Sequence, residues 1–189
     1  MRLFSRQPND PLPRFRFFED PVREGVIEAR KIRCSCCGKK RSHVYTGPQY
    51  GPSDDVEPLC PWCIADGSAA EELGLSFNEC IDIPDGADAD LIEEVEERTP
   101  AYQSWQGSYW AFLADTPMVF VGEATLDMVT HPDRSAIEAA LDQEASVYGF
   151  LEDDPDRPQL STQVRGGHIC FYIFRDPETG RYTARSDCD

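Results

Sequence analysis

The chain is predicted to be an α+β protein in three parts: an N-terminal module closed by two cysteine pairs, a helical acidic middle and a C-terminal β-hairpin. Three observations predict this. Cys34-Ser35-Cys36-Cys37-Gly38 is followed, 22 residues later, by Cys60-Pro61-Trp62-Cys63. An apolar stripe inside the acidic run Asp88–Arg98 has helical spacing. The stretch His168–Phe174 is β-branched or aromatic and leads to a Gly turn, as a hairpin requires.

The cysteines carry the strongest signal. Read as C-x-x-C-G and C-P-x-C, they are two halves of a tetrahedral thiolate site, and Zn²⁺ takes four such ligands. Cys34, Cys37, Cys60 and Cys63 are the candidate ligands of a structural zinc ion. Gly38 suits the sharp turn after the first pair, because glycine reaches positive φ without penalty. Pro61 stiffens the second turn. The plainer alternative is a set of buried or disulfide-bonded cysteines. Cys36 reads as a spare thiol, since neighbouring cysteines do not both reach one ion. Cys80, Cys170 and Cys188 have no partner at ligand spacing. His43 lies near the first pair and is a candidate for supporting a ligand from outside the ion's reach.

With 189 residues, 40% hydrophobic and 11% aromatic, the chain can build a core of its own. Residues 1–13 are expected to be a flexible lead-in, 14–75 the zinc-knuckle module, and 76–189 an acidic α+β region packed with it as one unit. The first residues lack an apolar signal core, and no run of 18 apolar residues exists. A cytoplasmic protein with no membrane segment is expected, and a reducing compartment favours metal over disulfides.

Taken in order, Val26–Ile32 reads as a strand delivering the first knuckle, and Val44-Tyr45-Thr46 begins the next. Gly47-Pro48 and Gly51-Pro52 punctuate a long turn. Ile64–Leu73 reads as a helix capped by Gly74. Knuckle, hairpin, then a second ligand pair at a helix start is the order of a treble-clef finger. Residues 76–90 read as an acidic loop and Asp88–Arg98 as a helix stopped by Pro100. Trp105, Tyr109, Phe112 and Leu113 recur at helical spacing and read as core. Met118–Val121 is a short strand or buried helical turn, and Asp133–Ala145 a helix entered through Pro132. Asp176–Gly180 is the hairpin turn and Arg181–Arg185 the returning strand.

Charge is distributed unevenly. The net charge is −17, with 18 Lys and Arg against 35 Asp and Glu. Residues 1–51 carry +6 and residues 52–161 carry −23. Such a body repels nucleic acid and attracts basic partners. No hydrolytic zinc motif, nucleophile elbow or phosphate loop is present. Four thiolates would also leave a zinc ion no open position. The chain is therefore expected to be non-enzymatic.

Several stretches resemble the CbrC family, also labelled UPF0167. They are Pro13-Arg14-Phe15, Asp20-Pro21, Gly25-Val26-Ile27, Cys34–Gly38, Tyr45-Thr46-Gly47-Pro48 and Leu59–Ala70. Thr99-Pro100, Tyr102, Ser104-Trp105-Gln106 and Ser186-Asp187-Cys188-Asp189 extend the likeness. Many members of the family carry another C-x-x-C-G in the C-terminal hairpin. Here Asp176–Gly180 fills that stretch without a cysteine. The resemblance implies a cytoplasmic bacterial protein linked to colicin E2 tolerance. It meets the charge reading at one point, since nuclease toxin domains are basic. The expected role is an acidic, immunity-type binder of a basic protein partner such as a nuclease toxin domain. Residues 82–97 and 152–156 would supply its face. The alternative is an adaptor that binds nucleic acid or ribonucleoprotein through Lys39, Lys40 and Arg41. An enzyme using a pocket near Trp105 and Tyr109 is the least supported reading.

Overall fold

The structure, a computed structural model, describes residues 11–52 and 56–189. Most of the lead-in, residues 1–10, lies outside the described residues. Its last part meets the module, where Trp62 Nε1 donates to the Pro11 carbonyl at 3.1 Å. Among the described residues the chain is mixed α and β, with four α-helices and several small sheets.

Two ribbons open the chain. β1 (Ile27–Glu28) pairs antiparallel with β4 (Val44–Tyr45), and β2 (Ile32–Arg33) pairs with β3 (Lys40–Arg41). The expected single strand over 26–32 is thus two strands that belong to different sheets, because each half finds its own partner. α1 (Pro61–Ala65) and α2 (Ser68–Leu73) replace the expected continuous helix over 64–73. Gly67 separates them with φ 79°. Gly74, also left-handed at φ 67°, ends α2 as expected, and its N–H reaches the Ala70 carbonyl.

β5 (Glu79–Cys80) lies within the expected acidic loop. α3 (Ala89–Arg98) forms as read. The Asp88 side chain accepts from Asp90 N at 2.9 Å and caps its first turn. Buried Asn78 closes the other end, its Nδ2 donating to the carbonyls of Val95 and Thr99 at 2.8 Å each. Those carbonyls are among the ones a helix leaves unsatisfied at its C-terminus.

The stretch from Trp105 to Leu113 is not helical. β6 (Tyr109–Trp110) runs parallel to β5, and β7 (Phe112–Leu113) turns back on β8 (Thr116–Pro117). Gly107 at φ 131° and the short β7–β8 turn keep the backbone extended or tightly turned. The middle is therefore less helical than expected. Trp110 is fully buried, with its indole N–H on the Met118 carbonyl at 2.8 Å.

β9 (Val119–Glu123) is buried along its whole length. After a 3₁₀ turn at Leu126–Thr130 comes α4 (Arg134–Tyr148), three residues longer than expected at its C-terminal end. β10 (Ile169–Arg175) and β11 (Tyr182–Cys188) form the expected hairpin, extended to Cys188. β9 adds to it as a third strand, in the order β11-β10-β9. The expected hairpin is thus part of a larger sheet. Its turn is closed by Gly180 N on the Asp176 carbonyl at 3.0 Å and by Thr179 on the Asp176 carboxylate.

Two cores result. One joins Phe17 and Phe18 to Phe120, Phe174 and Trp110, and takes in Cys34, Cys60 and Cys63. The other seats α4 on the sheet through Ile137, Leu141, Phe171 and Ile173. Among the described residues, no helix is long and apolar enough to cross a membrane.

Candidate metal centre

The first cysteine pair hangs on the turn that joins β2 to β3. Gly38 N bonds to the Cys34 carbonyl at 2.9 Å and Cys34 N to the Lys39 carbonyl at 3.0 Å. Gly38 adopts φ 65°, the conformation the sequence assigned to it. The second pair sits at the start of α1. Cys60 is its N-cap residue, Pro61 occupies the first turn, and Cys63 N reaches the Cys60 carbonyl at 3.1 Å. Ser35 ties the halves together. Its N–H donates to the Pro58 carbonyl at 2.8 Å and its hydroxyl to the Glu57 carbonyl at 2.9 Å.

The Sγ atoms of Cys34, Cys37, Cys60 and Cys63 all lie within 4.8 Å of one another, a group that can hold a metal ion. Individual spacings are 3.8 Å for Cys34–Cys63, 4.0 Å for Cys37–Cys60 and 3.5 Å for Cys60–Cys63. A disulfide needs about 2.05 Å, so the alternative of bonded cysteines does not describe this cluster. Three of the four are buried, and Cys37 is half-buried. Cys60 N also donates to Cys34 Sγ at 3.4 Å.

Sharing protons among crowded sulfurs splits their acidity. Hydrogen bonds from Cys60 and Cys63 hold Cys34 well below the usual thiol range. The same contact to Cys34 pushes Cys60 up to about 12 and Cys63 higher still. One thiolate is thus favoured strongly, and further deprotonation next to it is costly unless a cation neutralises the site.

The other predicted residues fall outside the cluster. Cys36 faces α2, with its Sγ 3.7 Å from Ser68 Oγ and 4.0 Å from Glu72 Oε2. His43 contacts Ser42 Oγ at 3.0 Å and lies beside the Trp62 ring, with 6.0 Å between centroids. Cys80 and Cys170 are buried, and burial pushes them to about 12 and about 11. Neither is poised as a nucleophile.

Sequence reasoning missed a second cluster, formed by the buried carboxylates Glu24 and Glu123. Arg165 Nη1 lies 2.6 Å from Glu24 Oε2 and 3.7 Å from Glu123 Oε2, while Arg23 Nε holds Glu24 Oε1 at 3.0 Å. These residues come from three distant stretches, and no local spacing announces them.

Fold and cluster together define a mixed α and β protein with a four-cysteine cluster that could hold a metal ion. The chain belongs to the uncharacterised protein family UPF0167, whose sequence profile matches residues 12–188. CbrC is another name for that family. A UPF0167 protein of Pseudomonas aeruginosa is 46% identical over 119 residues, which are 61% of this chain and 66% of that protein, just under two thirds of its length. UPF0167 proteins of Mycobacterium bovis and Mycobacterium tuberculosis are each 34% identical over 180 residues, 93% of both chains. No solved structure gives a significant match.

Proposed function

We propose that the chain is a zinc-stapled, non-enzymatic binding protein of the cytoplasm, with Cys34, Cys37, Cys60 and Cys63 as the ligands of a structural Zn²⁺. The spacing of the four sulfurs carries the reading. Sulfurs about 2.3 Å from a tetrahedral zinc lie about 3.8 Å from each other, and the three spacings above bracket that value. Knuckle, strand pair and helix N-terminus supply the ligands in treble-clef order. A bound cation would offset the cost of ionising Cys60 and Cys63 beside the Cys34 thiolate. With four protein ligands such an ion has no place for water or substrate, so its contribution is to folding.

The binding partner in this reading is a basic protein, with a nuclease-type toxin domain as the sharpest candidate. Its support is electrostatic. Asp85, Asp90, Glu93, Glu152, Asp153 and Asp156 are exposed and make no ion pair among the described residues. Unpaired carboxylates of one sign steer a cationic partner and speed its association. Calorimetric titration with a basic nuclease domain tests this. Saturable binding that weakens as salt rises supports it, and no binding at low salt refutes it.

One observation favours a second reading. Arg30, Lys31, Arg33, Lys39 and Lys40 also make no ion pair among the described residues, despite the acidic excess. Arg33 and Lys40 face each other across β2 and β3, a like-charge pairing that costs stability in isolation. This ribbon suits phosphates, as a nucleic-acid adaptor would require. Steep salt-dependent RNA or DNA binding, lost in the Lys39→Ala, Lys40→Ala double variant, would select this reading over the first.

A further inference from the structure

Outside the cysteine cluster, two distant stretches of sequence meet beside a cavity. Trp105 N and Gln106 N donate to Asp187 Oδ2 at 3.0 and 3.3 Å across some 82 residues of sequence. Gln106 Nε2 adds a bond to the Cys188 carbonyl at 3.0 Å. Tyr172 OH donates to the other oxygen of Asp187 at 2.9 Å. The anchored loop roofs a cavity of about 230 Å³ bounded by Ser104, Trp105, Glu123, Arg165, Cys170 and Tyr172. Trp105 is 52% exposed, although its indole N–H is fixed to the Gly167 carbonyl at 2.9 Å. A large aromatic side chain is therefore held rigidly at a cavity mouth, with much of its surface left uncovered.

The polar groups inside are incompletely used. The Glu123 side chain is only 6% exposed. Its Oε1 accepts from Gly166 N at 2.9 Å, but its Oε2 has Arg165 no closer than 3.7 Å. Arg165 spends Nη1 on Glu24 at 2.6 Å, and its Nε and Nη2 make no hydrogen bond among the described residues. The cavity thus sets a strong acceptor beside spare guanidinium donors, along an aromatic wall.

We infer that this cavity binds a planar lactam base, a purine-type ring presenting N–H donors next to a carbonyl acceptor. Glu123 Oε2 accepts from the ring N–H, the Arg165 guanidinium donates to the ring carbonyl, and the indole of Trp105 stacks on the ring face. Arg165 disfavours a simple cation in the same place, and Glu123 disfavours a simple anion. The volume is below the ~300–1,000 Å³ of pockets for drug-sized ligands. It suits a base seated inside with its sugar in solvent.

Calorimetric titration of the full chain with guanosine, and with adenosine as the ring lacking the lactam edge, tests the assignment. Guanosine should bind, with adenosine weaker by on the order of tenfold or more. Glu123→Gln should abolish the preference, because an amide cannot accept both donors as a carboxylate does. Trp105→Ala, at a largely exposed side chain, should weaken guanosine by a similar factor through lost stacking. It decides the matter if Glu123→Gln fails to fold by circular dichroism. No guanosine binding at millimolar concentration, equal binding of adenosine, or guanosine affinity unchanged in Trp105→Ala would overturn the proposal.

Discussion

Gly122 lies in the buried strand β9 at φ 149°, where a Cβ would stand 2.5 Å from Glu24 Oε1 and 2.8 Å from Met128 Cε. The Glu24 carboxylate is pinned by Arg23 and Arg165 and cannot yield. Gly122→Ala should therefore destabilise the fold by about 1–3 kcal/mol, read from chemical denaturation. Glu123, next in the strand, makes a prediction in pH. Burial raises its carboxyl above the usual range, against the lowering contacts from Gly166 N, Cys170 and Arg165 and with the raising field of Glu24. Over the window between the unfolded and folded values, the native state holds a proton that the unfolded chain has released. This contribution to stability is full below the unfolded value and is lost as pH rises through the folded one. Melting temperature should fall less in Glu123→Gln than in the parent from about pH 4 upward. Identical slopes would remove Glu123 as the source. At the cysteines, the turn that points Cys34 and Cys37 inward points Cys36 at Ser68. Cys36→Ser should keep the metal and most of the stability.

Helix breaks and caps decide the elements. Gly67, left-handed between α1 and α2, lets the chain turn after the second cysteine pair. Gly67→Ala should cost about 1 kcal/mol or more in thermal unfolding, because the strain of positive φ replaces an entropic cost. Asp88→Ala should cost about 1 kcal/mol through loss of the α3 cap. What the sequence made legible at this scale was local. C-x-x-C-G and C-P-x-C place their sulfurs by turn geometry within four residues, and the α3 stripe, its cap and Pro100 agree with one another. The segment from Trp105 to Leu113 suits a helix by its apolar residues four apart, but the same residues suit the short strands that follow Gly107. Its partner β5, some 30 residues earlier, is what makes it extended. The third strand of the C-terminal sheet and the Glu24–Glu123–Arg165 cluster were equally hidden, since both depend on pairing across the fold.

Across the whole molecule, the cysteine centre is no appendage. Cys34, Cys60 and Cys63 belong to the same buried cluster as Phe17, Phe120 and Phe174, so the sheet and the N-terminal module share apolar contacts. Metal binding in small modules is worth about 10–16 kcal/mol, comparable to the whole stability of a domain. Chelation should therefore raise amide exchange over residues 30–73 and propagate into β9, while α4, seated on the second core, should be affected least. The charge split, positive over residues 1–51 and strongly negative over 52–161, is the feature on which the two proposed binding readings differ, and salt-dependent titrations with each probe separate those readings.

The most direct measurement is metal content per chain, on protein purified under reducing conditions, for the parent and for Cys36→Ser, Cys37→Ser and Cys60→Ser. One zinc per chain in the parent and in Cys36→Ser, with loss of the ion in Cys37→Ser and Cys60→Ser, is the predicted result. A metal-free parent, a coloured iron protein in place of zinc, or an ion retained by Cys60→Ser would contradict a structural four-cysteine zinc centre.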